Sequence, residues 1–496
     1  MRRAEAADVA TRGARLSGAF VSGGCVVAAC VLVAWVLSAC SLAPPLKVPE
    51  VPSAEAYKEL GPWTKAEPAD QLPRDSWWSL YDTAEIDDLE KRLIAGNPTL
   101  AAALANYAQA TALKDQARAG LFPTVGANAG VSRARESQHA PLIGPTTPRY
   151  YDDNVVGGSV SYELDLWGQI RNQVAAAKDN AAASAADLEN ARLSLLAQLV
   201  DDYIQLRGMD RDSAILEDTA KAYAHALALT RQRHDAGIAA GLDVSQAETQ
   251  LAATRSQADQ ILAQRAVMEH AIAALLGVSA STFSIKPSIV YIKLPAVPAG
   301  VPATLVQRRP DIAGAERRMM AANANIGVAR AAYFPSITLG AQGGFQSTSF
   351  SNWLSAPSSF WAVGPNALLS VFDGGLRKAQ VAEARAQLDS AAANYRGTVV
   401  GAFQEVEDSL ANLNHYYDAA QQEKVAVDSA QRTLDLSMAL YVQGAADYLT
   451  VVTSQTALLQ AQIQALDLDT LQLRASVDLV RALGGGWEDT RQLASR

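Results

Sequence analysis

The chain has 496 residues, of which 49% are hydrophobic, 19% charged and 6% aromatic, with a formal net charge of -9 at pH 7. That acidic balance argues against a nucleic-acid partner, because phosphate binding needs a clustered cationic surface. Apolar runs of about 18 residues or more occur only at the extreme N-terminus, which excludes a bundle of transmembrane helices.

Residues 1–39 read as a signal peptide. Arg2, Arg3, Arg12 and Arg15 supply a positive start, diluted by Glu5 and Asp8, and an apolar run follows over residues 19–37. It closes on Leu37-Ser38-Ala39-Cys40, where small residues suit a signal peptidase. The tetrad resembles the bacterial lipobox, which makes Cys40 the candidate lipidated residue. A transmembrane anchor competes because the apolar run is long, but Pro44 and Pro45 stop a continuing helix. Ser41 after the cysteine points to the outer membrane. Only Cys25, Cys30 and Cys40 are cysteines, so cleavage leaves the lipidated one alone and no disulfide.

Beyond residue 40 the chain repeats itself. Ala117-Arg118-Ala119-Gly120-Leu121-Phe122-Pro123 recurs as Ala329-Arg330-Ala331-Ala332-Tyr333-Phe334-Pro335, at an offset of 212 that Pro98 and Pro310 share. Gly168/Gly375, Gly237/Gly444, Val244/Val451 and Gly277/Gly484 then match at 207, so 110 residues align without a gap.

After Phe122-Pro123, apolar Val125, Ala127, Ala129 and Val131 alternate with Thr124, Gly126, Asn128 and Gly130. Ile337, Leu339, Ala341 and Phe345 do the same in the second copy, and returning strands carry Val156, Val160, Tyr162 and then Trp361, Val363, Ala367. Period 2 over about 10 residues marks a strand, and is also the length of a tilted strand crossing a bilayer. Aromatics gather at both strand ends, with Phe122, Trp167 and Phe334 at one and Tyr150, Trp353 and Phe360 at the other. Membrane barrels carry such girdles. A soluble hairpin with one buried face fits the same pattern.

Long helices follow. Residues 171–236 contain no proline and only Gly208 as a breaker, a run of 66 residues or about 100 Å. In the second copy Leu388, Tyr395, Val399, Val406, Leu410, Leu413 and Tyr417 keep mostly three- and four-residue spacings, as in a coiled coil. Abundant Gln, Asp and Arg suit a surface wetted along its length. Turns containing Gly237 and Gly444 reverse the chain into return helices of about 35 residues. Four strands cannot close a barrel, and open edges in lipid cost several kcal/mol per unpaired group. Copies of the chain must therefore supply strands, eight in a dimer or about twelve in a trimer, and only twelve leave a lumen.

Trp77-Trp78, Asn97-Pro98-Thr99-Leu100 and Tyr162-Glu163-Leu164-Asp165-Leu166-Trp167-Gly168 resemble outer-membrane efflux lipoproteins of the TolC type. So do Leu305-Val306-Gln307-Arg308-Arg309-Pro310-Asp311-Ile312 and Val371-Phe372-Asp373-Gly374-Gly375, specifically in the NodT-like branch serving resistance-nodulation-division pumps. The resemblance implies a mainly α fold with transmembrane β: a homotrimeric β-barrel with four strands per chain, continued by an α-helical coiled-coil tunnel. On this reading residues 40–85 are a lipid-anchored N-terminal segment contributing to the equatorial region. Repeat 1 spans 86–277, with a hairpin about 121–168 and helices about 171–236 and 242–277. A linker covers 278–305, and repeat 2 spans 306–484, with a hairpin about 335–373 and helices about 376–443 and 449–484. A tail closes at 485–496. The implied function is the passive outer-membrane exit duct of a tripartite efflux pump, with a periplasmic adaptor and an inner-membrane transporter as partners. A type I protein secretion duct and a heavy-metal efflux duct are the alternatives, and a soluble periplasmic coiled-coil scaffold is a third.

By position the helix-turn tips match the family's periplasmic ends. Adaptor docking is assigned to Gly237, Ile238, Gly444 and Ala445, and the constriction to Asp447, Tyr448, Leu449, Thr450 and Thr453. A symmetric ring of Asp447 carboxylates would attract cations; a helix N-cap at Asp447 is the plainer alternative. Some family members carry aspartates where Thr450 and Thr453 stand. His139, His225, His234, His270 and His415 are scattered without ligand spacing, no nucleotide loop occurs, and no cofactor, metal or enzymatic activity is expected.

Overall fold

The computed structural model describes residues 41–49, 56–59, 77–137, 149–295, 297 and 309–485. Cys40, the signal segment, the loop tip at 138–148 and residues 305–308 lie outside the described residues. In chain order the elements are α1 (Ala84–Gly96), α2 (Pro98–Ala119), β1 (Thr124–Arg135), β2 (Tyr150–Glu163), α3 (Gln169–Asp235) and α4 (Gly241–Leu275). Then come α5 (Pro310–Ala331), β3 (Ser336–Ser347), β4 (Ser359–Leu368), α6 (Leu376–Val442) and α7 (Tyr448–Ala482). The duplication is explicit: α3 and α6 each have 67 residues, α4 and α7 each 35. No helix among the described residues is long and apolar enough to cross a membrane.

The chain forms two compact units. The first takes the described residues within 41–48, 108–182 and 317–393 and contains an antiparallel sheet in the order β1-β2-β3-β4. Its register sorts the side chains. Val125, Val160, Ala341 and Val363 form one cross-strand row, and Ala127, Gly158, Gly343 and Trp361 the next, all on one face. Thr124, Ser161, Gly340 and Gly364, then Gly126, Ser159, Gln342 and Ala362, fill the other. One residue of slip would invert this sorting. The apolar face is uncovered within one chain, with Val125 75% and Trp361 79% exposed. At the foot of the sheet the Trp167 ring stacks on Phe334 at 4.6 Å, and its indole N–H donates to the Pro335 carbonyl at 2.8 Å. The Phe-Pro motif of the second copy is thus clasped by the tryptophan that ends the hairpin of the first.

In this unit the N-terminal segment is docked. Ser41 donates to Asn172 Oδ1 at 2.8 Å, Asn323 to the Pro44 carbonyl at 2.9 Å, and Arg330 to the Leu42 carbonyl at 3.1 Å.

The second unit takes residues 49–107, 183–316 and 394–496. Its core gathers Trp77, Tyr81, Leu93, Tyr203, Ile272 and Val406, with Trp77 and Trp78 edge to face at 6.1 Å. The two proline motifs have a common purpose here. Asn97 accepts from the Leu100 N–H to cap α2, with Pro98 preorganised behind it, and its amide donates to the Leu275 carbonyl at 2.7 Å. At the equivalent place Arg309 donates to the Ala482 carbonyl at 3.0 Å, held by Asp311 and Glu405 at 2.7 Å each. Both motifs satisfy carbonyls orphaned at the end of a return helix.

Not every charged residue on the long helices is wetted. Asp210 and Arg207 side chains are 2% and 3% exposed and bond each other at 2.6 Å. Arg265 joins Asp210 at 2.6 Å, and the cluster also holds the Ile285 and Lys286 carbonyls and the Ser288 N–H. Burial opposes the Arg207 charge, but the bonds it donates to Tyr203, Glu85 and Asp210 outweigh it and raise its pKa. The polar sequence here ties the connection after α4 to the helices instead of facing water.

Glycines end the helices in left-handed geometry at Gly237, Gly277, Gly444 and Gly484, with φ of 75°, 69°, 78° and 88°. At Gly277 an added Cβ would also lie 2.1 Å from the Gly96 carbonyl oxygen, whereas Gly444 is open. Gly444→Ala is therefore expected to cost about 1–2 kcal/mol of backbone strain alone. Gly277→Ala should lower the thermal midpoint further, and equal shifts would contradict this packing.

Candidate functional site

The site lies in the second unit, where α3 turns into α4 and α6 into α7. Both turns are Schellman closures. Gly237 N–H donates to the His234 carbonyl and Ile238 N–H to that of Arg233, each at 2.8 Å; Gly444 and Ala445 repeat this with Tyr441 and Leu440 at 3.0 and 2.9 Å. Reversal within a few residues leaves Gly237, Ile238, Gly444 and Ala445 exposed, with Ile238 66% accessible. An isoleucine so placed has no core to enter within its own chain.

The two ends are joined by Arg233. Its guanidinium donates to the Val442 carbonyl at 3.1 Å and lies 4.8 Å from the centroid of the Tyr441 ring, a cation–π contact. Tyr441 meets Tyr448 at 5.2 Å between centroids, over a small core of Tyr223, Leu227, Leu251 and Val451. Burial pushes the Tyr448 hydroxyl up to about 12, so it stays protonated at any physiological pH.

Asp447 is the N-cap of α7. Its carboxylate accepts from the Thr450 N–H at 3.0 Å and from the Thr450 hydroxyl at 2.6 Å. These two bonds, the hydroxyl first, hold the carboxyl below its ordinary range. The first copy has Ala240 at the equivalent place and no side-chain cap. Capping does not remove the charge from solvent, since Asp447, Leu449, Thr450 and Thr453 are all exposed. Tyr448, grouped with them from the sequence, turns inward and is 2% exposed.

Arg233, Tyr441 and Tyr223 carry no sequence signal that marks them as tip residues. Tyr441 precedes Tyr448 by seven positions, but the intervening turn breaks helical phase, so the interval predicts nothing. At the 207 offset Arg233 aligns with Leu440 and Tyr441 with His234, and the repeat conceals the pairing.

A profile of the outer membrane efflux protein family matches residues 89–278 and again 301–485. The antibiotic efflux pump outer membrane protein ArpC of Pseudomonas putida is 33% identical over 462 residues, covering 91% of this chain and 94% of the relative. Outer membrane protein OprJ of Pseudomonas aeruginosa is 32% identical over 462 residues, covering 92% and 95%. Among solved structures, the outer-membrane channel OprN superimposes with a TM-score of 0.84 at 29% identity, covering 91% of this chain and all of that one. Sheet, paired helices and relatives define one class, the channel proteins of outer-membrane efflux systems. The chain belongs to the outer membrane efflux protein family, and its place is the outer membrane.

Tyr448→Ala should destabilise the tip by about 3 kcal/mol or more, because it empties a buried aromatic site. Leu449→Ala, one residue on and 53% exposed, should change it by about 0.5 kcal/mol or less. Amide hydrogen exchange in residues 223–251 and 441–458 reads the difference, and similar protection in both variants would contradict the packing.

Proposed function

We propose that three copies close a 12-stranded barrel and form the passive exit duct of a tripartite efflux pump, conducting drugs or other small molecules outward. The observation that carries this reading is the sheet, with one apolar face, one polar face and two edges unpaired within the chain. Lipid tolerates no open edge. Antiparallel order makes β4 of one copy complementary to β1 of the next, and twelve strands leave room for a lumen.

Residues 40–85, 278–305 and 485–496 belong to the equatorial region and linkers in this reading, and Cys40 carries the lipid. Docking of residues 41–44 beside the sheet-bearing helices supports an anchor there. A periplasmic adaptor engages Gly237, Ile238, Gly444 and Ala445, whose exposure supports docking. An inner-membrane resistance-nodulation-division transporter supplies the energy. Asp447, Leu449, Thr450 and Thr453 line the constriction, with Tyr448 bracing it from behind.

Native mass spectrometry in detergent should give a trimer; a monomer or dimer would refute the barrel. A deletion strain should become several-fold more susceptible to at least one antibiotic, and an unchanged profile across compounds would refute drug efflux. In planar bilayers Asp447→Asn should reduce cation preference at pH 7. The wild-type preference should persist down to about pH 4, because the carboxyl titrates below its ordinary value of about 3.9.

A further inference from the structure

A cavity of about 530 Å³ opens among α3, α4 and α7 in the second unit. It lies about 25 residues along α3 from the tip, on the order of 35 Å. The volume is in the range of pockets for drug-sized ligands. Two carboxyls line it, Asp212 from α3 and Asp467 from α7. Asp212 Oδ1 is shielded from solvent and has no hydrogen-bond partner. Burial, and then the charge of Asp467, push the Asp212 carboxyl up to about 7; burial raises Asp467 as well.

The surrounding charges do not neutralise this pair. Arg211, beside Asp212, is paired with Asp469 at 3.4 Å, and Arg474 on the lining is held by Asp201 at 2.7 Å. From α4 come only amides and an apolar residue, Gln257, Gln260, Gln264 and Ile261. Leu216 and Ile463, one helical turn from Asp212 and Asp467 on α3 and α7, add apolar lining. A carboxyl pair left without a neutralising partner is stabilised by a proton or by a cation, and the apolar lining suits a ligand with an apolar body.

We propose that this cavity binds an amphiphilic organic cation, its charged nitrogen between Asp212 and Asp467 and its body against Leu216, Ile261 and Ile463. The site deepens the duct reading by naming a class of cargo that pauses in the helical section. Binding requires the ionised carboxyls, so ligand and proton compete.

Ethidium is a suitable probe, because its permanent charge leaves the protein as the titrating partner. Fluorescence titration of the purified full-length protein should show one saturable site per chain at pH 8. Affinity should fall by up to about thirtyfold at pH 5.5, the change in ionised fraction for a group titrating near 7. Asp212→Asn should weaken binding at pH 8 by about tenfold or more and flatten the pH dependence. Gln260→Lys, which places an ammonium in the cavity, should block binding outright.

Asp212→Asn also supplies its own folding control. A carboxyl whose pKa rises on folding contributes stability below its unfolded value, and that stability is lost as pH rises through the folded value. The variant should therefore melt higher than wild type at pH 8. Ethidium binding that survives both cavity variants overturns the proposal, as does equal and equally sensitive binding of neutral N-phenyl-1-naphthylamine. The measurement involves no transport, so its failure leaves the duct reading standing.

Discussion

An antiparallel sheet has a row of backbone donors and acceptors along each edge, and here β1 and β4 leave theirs unpaired within one chain. Water can satisfy such edges, but hydrocarbon cannot. Most of the architecture follows from that constraint in an outer-membrane protein. The apolar rows from Val125 to Val363 suit lipid, and the Thr, Ser, Gly and Gln rows on the other face suit a wet interior. Neither face explains the edges. In the proposed barrel, strands of further copies pair them.

Duplication gives the second principle. Each copy closes the end of its own return helix with a residue that stands just before its own proline-started helix. Asn97 and Arg309 reach the carbonyls of Leu275 and Ala482, positions that the offsets of 212 and 207 make equivalent. An amide and a guanidinium do the same work, and Arg309 needs Asp311 and Glu405 beside it because it brings a charge. The tips diverge further. Only the second copy has a carboxylate cap, and Arg233 of the first reaches across to Tyr441 and Val442 of the second. Near-symmetry thus supplies the frame, and its local failures supply the chemistry at the tip.

The strands were legible because period 2 is a local signal, and so were the helix reversals, because only glycine adopts the left-handed geometry cheaply at Gly237 and Gly444. Asp447 was legible as a cap from its place before an apolar run. Other readings needed more than local pattern. Tyr448 stands among exposed neighbours, and only the packing of Tyr441 and Tyr223 shows that it turns inward. Arg207, Asp210 and Arg265 look like solvated helix residues yet lie buried together, because Arg265 reaches Asp210 from 55 positions away and Arg207 reaches the Lys286 carbonyl from 79.

The sequence by itself determined the two repeats, the approximate extent of the four long helices, the alternation of the strands and the residues that reverse the chain. Each depends on neighbours within a few positions, where backbone geometry and side-chain period leave few choices. The tertiary structure decided which carbonyl each proline motif caps and which tip residues face outward. It also decided that Asp212 and Asp467, 255 positions apart, line one cavity. Those outcomes depend on distant segments meeting, and no spacing along the chain encodes where they meet.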